Sequence, residues 1–269
     1  MDAVEKDCRR RGYSLMISTF DDFGHIDLGE TLTKPSVLGA ILLGTELDNE
    51  DMQHFKGLDM PMVVVDNSLP LLPYSTVTMD NRSAVFSAVN HLVAQGHRHI
   101  GFLYNSIPSN NDRERRKAFE DALTYYGLPF SEEMVFPVFP TMDGAMESVT
   151  ELLHQGRRFP AALVGNNDTI AFGALRAFQE AGLHIPEDIS LTGFDGLPIS
   201  SISQPPLTTV NVPCSEIGAW AVRLLHEIIK GRCTTPSKIQ VETQLICRGS
   251  TTPWRPARQH PSLFTGDTI

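Results

Sequence analysis

Apolar residues along this chain fall into short blocks, and these blocks alternate with stretches of helical spacing. Runs at 13–18, 37–43, 61–66, 76–79, 98–104, 134–138, 160–166, 189–196, 205–210 and 239–248 are bounded by Gly, Pro, Asn or Asp. Short apolar runs with such punctuation predict strands buried on both faces of a parallel sheet. Between them the spacing predicts helices over 1–12, 48–58, 81–95, 112–126, 142–155, 169–180 and 213–230. Gly96 and Gly231 stand just past two of these helices, where a left-handed residue ends a helix. Strand and helix alternation predicts an α/β fold of doubly wound, mainly parallel sheets. In such sheets ligands bind beyond the carboxyl ends of the strands. Polar residues stand there after three blocks: Asp66, Asn167 with Asp168, and Asp195.

The length of 269 residues allows one large domain or two ordinary ones, and 41% hydrophobic with 20% charged residues is ordinary for a soluble globular chain. No apolar run approaches the roughly 18 residues that would span a bilayer, so no membrane partner is expected. The polar, helical start does not read as a signal peptide. The net charge of −10 argues against nucleic-acid binding by these residues alone, because phosphate backbones select clustered Lys and Arg. Cys8, Cys214, Cys233 and Cys247 are scattered, with no C-x-x-C pair, and read as reduced thiols. His97 and His99 read as structural. There is no H-E-x-x-H, G-x-S-x-G, G-x-x-x-x-G-K-[ST] or helix-opening G-x-G-x-x-G, so metal, acyl-transfer, nucleotide-hydrolysis and dinucleotide chemistry lack support. Neither an enzyme nor a cofactor is expected.

Five side chains are candidates for a ligand site. Asp195, in the turn Gly193-Phe-Asp-Gly196, can accept two hydrogen bonds from neighbouring hydroxyls of a polyol; its ordinary reading is an Asx turn closing the strand. Asn167 offers both donor and acceptor, while Asp168 is expected to be the N-cap of the helix over 169–180. Arg115, four residues before Phe119, carries a planar fork that can bridge two oxygens, against the bland reading of a solvated basic face shared with Arg113, Arg116 and Lys117. Asp66 ends its strand, and its bland reading is a turn residue before Asn67. Phe139 is either a stacking platform or a core residue.

Asn167-Asp168, Ile185-Pro-Glu-Asp-Ile-Ser190, Gly193-Phe-Asp195 and Pro206-Leu-Thr-Thr-Val210 occur in order, and Gly96-His-Arg-His-Ile-Gly101 and Arg248-Gly-Ser250 add to them. Together they resemble the effector-binding domain of the lactose-repressor (LacI/GalR) family of bacterial transcription regulators. The resemblance implies a periplasmic-binding-protein-like fold: two doubly wound parallel-sheet subdomains around a ligand cleft, expected over 1–80 with 211–238 and 81–210 with 239–252, and a tail over 253–269. It implies that Asp66, Arg115, Phe139, Asn167 and Asp195 contact a small polar effector, most naturally a sugar. It implies a cytoplasmic homodimer in which effector binding is coupled to operator affinity. Family members begin with a helix-turn-helix headpiece, a hinge helix and a first core strand. The 269 residues enter on the helix that follows that strand, so DNA binding is expected of the family and not of this polypeptide alone. The first sheet is expected to lack its first strand and to expose 13–17 and 37–43. A transport-type periplasmic sugar-binding protein shares the fold and is the alternative.

Overall fold

The computed structural model describes residues 2–19, 36–45, 47, 55, 60–67 and 73–255. They form two compact units. The first takes residues 1–80, 109–111 and 213–241, and the second takes 81–108, 112–212 and 242–269. The helix expected over 48–58 and the tail beyond residue 255 lie outside the described residues.

In the first unit β1 (Ala40–Leu43), β2 (Met62–Val65), β3 (Ser75–Met79) and β9 (Lys238–Val241) make a four-stranded sheet in the order β1-β2-β3-β9, parallel throughout. Met62, Val63, Val64 and Val65 are all buried, as a strand covered on both faces must be. Helix α6 (Cys214–Ile229) packs on β1, β2 and β3, and α1 (Asp2–Arg10) packs on α6. Their approach is close: a Cβ added at Gly218 would stand 2.9 Å from Val4 Cγ2. After α1 the chain is tied down by the Tyr13 hydroxyl, 2.9 Å from His226 Nδ1.

Residues 13–19 do not form the expected strand. An apolar segment becomes a strand only when its main-chain groups enter a ladder, and among the described residues the sheet ends at β1. Met16 and Ile17 are 58% and 64% exposed, and Leu38 and Leu43 at the β1 edge are 53% and 67% exposed. We expect amides over 13–18 and 37–43 to exchange with solvent faster than those over 101–105 and 162–165, which lie inside a fully paired sheet. Equal protection in a hydrogen-exchange experiment would show that the edge is covered.

The second unit holds a six-stranded sheet, β10-β8-β7-β6-β4-β5. It is built from β4 (Gly101–Asn105), β5 (Val135–Val138), β6 (Ala162–Gly165), β7 (Ser190–Asp195), β8 (Thr208–Asn211) and β10 (Gln244–Ile246). All neighbours are parallel except β10, which runs antiparallel to β8. Its helices are α2 (Asn81–Ala94), α3 (Asn110–Tyr125), α4 (Met142–His154) and α5 (Asp168–Glu180). Neighbouring residues of β4 point to opposite faces. Phe102 stacks on Phe119 of α3 at 5.1 Å, while Leu103 enters a cluster with Ala145 and Val149 of α4 and Ile170, Ala174 and Phe178 of α5. Helices therefore cover both faces of this sheet, as a doubly wound fold requires.

Two boundaries differ from expectation. The run over 239–248 is two strands: β9 completes the first sheet and β10 edges the second, with Glu242 and Thr243 between them. One apolar-alternating stretch thus serves two sheets, so the crossing lies after Val241 and not at 239. The strand expected over 98–104 begins at Gly101, because the Arg98 guanidinium folds back onto the carbonyls of Val93 and His97 in the preceding helix-to-strand turn.

Candidate functional site

The carboxyl ends of β4, β5, β6 and β7 gather the polar residues of the second unit. Arg115, in the second turn of α3, is buried, with 6% of its surface exposed. Its stripe explains why: Arg115, Ala118, Phe119, Ala122 and Leu123 are all buried, at the i, i+3, i+4, i+7, i+8 spacing of one helix face. Arg113 and Lys117 on the opposite side are exposed. A buried guanidinium needs partners, and it has them. Arg115 Nε donates to Asn81 Oδ1 at 3.0 Å, and Nη1 donates to the Asn166 carbonyl at 2.9 Å. The guanidinium lies over the Phe194 ring, 3.7 Å from its centroid. Nη2 stands 4.0 Å from Asp195 Oδ1. The solvated-face reading of Arg115 is therefore replaced by that of a fixed cation beside a partly exposed carboxylate.

Asp195 ends β7 with φ 113°, a left-handed value that a non-glycine residue adopts at a cost. Gly196 follows at φ 70°, and a Cβ there would stand 2.6 Å from Asn211 Oδ1. The turn is thus held in a conformation that presents the Asp195 carboxylate at the sheet edge. Phe139 follows β5 and is 45% exposed, which excludes the core reading.

The N-cap stands one residue earlier than expected. Asn167 is the N-cap of α5, its side-chain oxygen accepting from Ile170 N at 2.8 Å. Asp168 is the first helical residue and is fully buried. Both are good caps by residue type, and the choice is made by distant chain: Thr209 donates its hydroxyl to Asp168 Oδ1 at 2.5 Å, and Leu197 N donates to Oδ2 at 2.7 Å. Burial raises the Asp168 pKa, and the hydrogen bonds from Thr209 and Leu197 oppose that rise.

Asp66 belongs to the first unit. It follows β2 at φ 61° and accepts from the Thr45 hydroxyl at 2.7 Å and from Asn111 Nδ2 at 2.9 Å. The structure thus groups Arg115 with Asp195 directly, and places Asn167 after β6, next to β7, and Phe139 after β5 at the far edge of the same sheet.

Four polar residues in the network around Arg115 carried no usable signal in the sequence. Asp112 accepts from Asn105 Nδ2 at 2.9 Å and from Asn166 Nδ2 at 2.6 Å, all three being buried. Asn81 accepts from Arg115 and donates to Glu114. Asn and Asp at helix starts and strand ends are common for local reasons, and only the fold shows that these converge on one guanidinium. Among the described residues no group of three or more His, Cys, Asp or Glu could hold a metal ion, and no helix is long and apolar enough to cross a membrane.

Comparison with known proteins agrees with this geometry. Residues 89–251 match the family model for a periplasmic binding protein-like domain. The HTH-type transcriptional repressor PurR of Actinobacillus pleuropneumoniae is 30% identical over 256 residues, covering 92% of this chain and 75% of the relative. The HTH-type transcriptional regulator DegA of Bacillus subtilis is 27% identical, covering 83% and 67%. Among solved structures, a LacI-family regulatory protein from Chloroflexus aggregans superposes with TM-score 0.85 at 26% identity, covering 93% of this chain and 90% of that one. A complex of the regulator CelR with cellobiose gives TM-score 0.84 at 27% identity, covering 92% and 76%. A LacI-family regulator from Enterococcus faecium with bound ribose gives 0.81 at 25%, covering 95% and 93%.

The fold and the polar strand ends are those of a ligand-binding module of the periplasmic-binding-protein-like class. The chain belongs to the LacI family of transcription regulators and carries its effector-binding domain. Its relatives are transcription regulators and not enzymes, which sets aside both catalytic and transport readings.

Proposed function

We propose that the chain binds a small polar effector, a sugar or related polyol, at the carboxyl edge of its six-stranded sheet. In a complete regulator this binding is coupled to operator affinity. The observation that carries the reading is the pairing of buried Arg115 with Asp195 held at positive φ. A guanidinium that cannot leave and a carboxylate that faces outward form a preorganised donor–acceptor set for adjacent hydroxyls. Exposed Phe139 supplies an apolar face of the kind on which sugar rings stack. Asn167 enters with its amide nitrogen, since its oxygen caps α5. Asp66 is the first unit's candidate effector contact, its carboxylate held by Thr45 and Asn111. Solved relatives bound to cellobiose and to ribose support a sugar. Coupling requires that the effector favour one of two states of the regulator, and relatives that repress transcription support such a role. The reading also takes the working form to be a cytoplasmic homodimer.

A thermal-shift screen of sugars, sugar phosphates and purines tests the effector class. At 100 times Kd a ligand stabilises by roughly 2.7 kcal/mol, a shift that is easily read. Stabilisation by sugars is expected; stabilisation by purines alone would overturn the polyol assignment. The purified 269-residue chain, at net charge −10, is expected to show no sequence-specific retention of duplex DNA in a mobility-shift assay. Specific, salt-sensitive retention would contradict this.

A further inference from the structure

Asp168 raises a question that its position does not answer. It is a carboxylate with no exposed surface, and Asn167 already caps the helix that it begins. Burying a carboxylate is costly unless its partners repay the loss of water. Its hydrogen-bond partners are within two residues of Asp195 or on the adjacent strand. Leu197 N donates to Oδ2 at 2.7 Å and Thr209 on β8 donates to Oδ1, while the Arg248 charge also favours the ionised form. The chain leaves room for this carboxylate by having glycine at 193, since a Cβ there would collide with Asp168 Oδ1. An N–H of the turn after β7 thus meets one buried anion, and the residue two places before it is the one held at φ 113°.

We infer that Asp168 is a positioning residue for the effector site: it anchors the Gly196–Leu197 turn and so fixes Asp195 against Arg115. This rests on the proposal that Asp195 and Arg115 bind effector, but the anchoring itself is a property of the free chain. Thr209 and Gly193 act with it, the first by orienting the carboxylate and the second by admitting it. Asparagine could flip its amide, accepting from Leu197 with its oxygen and donating its NH2 to the Thr209 hydroxyl, whereas alanine at 168 removes both acceptor oxygens.

The test uses the full 269-residue chain without ligand, followed by NMR. In Asp168→Ala, amide exchange at Leu197 should become about tenfold faster or more, as expected on losing a hydrogen bond to a charged acceptor. The Asp195 carboxyl carbon and the Arg115 Nε resonance should move, while core methyls such as those of Leu163 stay in place. A second variant removes only one bond and keeps the carboxylate. Thr209→Val replaces the hydroxyl that donates to Oδ1 by a methyl of similar size and leaves the carboxylate in place; it should move the Asp195 and Arg115 resonances with the fold intact. If Asp168→Ala does not fold, Thr209→Val decides. Unshifted Asp195 and Arg115 resonances in the folded variants overturn the inference. The sugar screen on the unaltered chain decides the effector reading separately. A chain that binds no sugar, with variants that move Asp195, sinks that reading and leaves the anchor standing.

Discussion

Arg115→Ala should damage both binding and the fold of the second unit. Truncation would remove the partner of Asn81 Oδ1, of the Asn166 carbonyl and of the Asp195 carboxylate in one step. The first two belong to buried residues, where each unsatisfied polar group costs about 1–3 kcal/mol. The guanidinium also covers the Phe194 face. Removing one member of a buried charged network costs about 3–5 kcal/mol, and we expect unfolding of the second unit to shift by an amount in that range in denaturant titrations. Effector affinity should fall about 5- to 150-fold, since the lost fork accounts for about 1–3 kcal/mol of contact. Lysine at 115 should restore charge without the planar fork, recovering stability in part and affinity little. An alanine variant with unchanged affinity for a cognate effector would remove Arg115 from the site.

Most of the architecture could be read before the fold was known, because buried parallel strands declare themselves. Met62-Val-Val-Val and Ala162-Leu-Val-Gly are apolar at every position, and Gly, Pro or Asn punctuates their ends. Where the reading failed, the missing information was non-local. Nothing between Ile239 and Arg248 marks the place where the chain passes from one sheet to the other, since β9 and β10 share one alternating pattern. The stretch over 13–18 has the composition of a strand, yet composition cannot provide a ladder partner. Asn167 and Asp168 are equivalent as caps until Thr209, 41 residues further on, and Leu197 claim the second. Arg115 is the instructive case. Its neighbours Arg113, Arg116 and Lys117 suggest a wet basic face, but its spacing to Ala118, Phe119 and Ala122 places it on the apolar stripe. The helical phase carried the signal that the charge run concealed.

Gly173→Ala should be strongly damaging, although it sits in mid-helix where alanine is normally preferred. Gly173 lies on α5 where α4 crosses closest. An added Cβ would collide with the Met142 carbonyl oxygen and would stand 2.7 Å from Ala145 Cβ and 2.8 Å from Met146 N. Two of these three are main-chain atoms of the first turns of α4, so no rotamer change relieves the clash. The helices must separate, which loosens the contact of α4 and α5 around Ala145, Val149, Ala174 and Phe178. Intrinsic propensity favours alanine over glycine by about 1 kcal/mol, while overpacking costs about 1–3 kcal/mol, and more against backbone. The clash wins, and a net loss of about 2 kcal/mol is expected in denaturant unfolding. Gly182→Ala gives the contrast. Gly182 ends α5 at φ 81° with nothing within 4 Å of an added Cβ, so its cost of about 1 kcal/mol comes from the left-handed backbone alone. The two variants should also differ in kind. Gly173→Ala should perturb the resonances of Ala145 and Met146 across the helix pair, whereas Gly182→Ala should change only those of its own turn. A Gly173→Ala protein as stable as its parent would show that α4 and α5 can part without loss, and that their close approach does not hold this unit together.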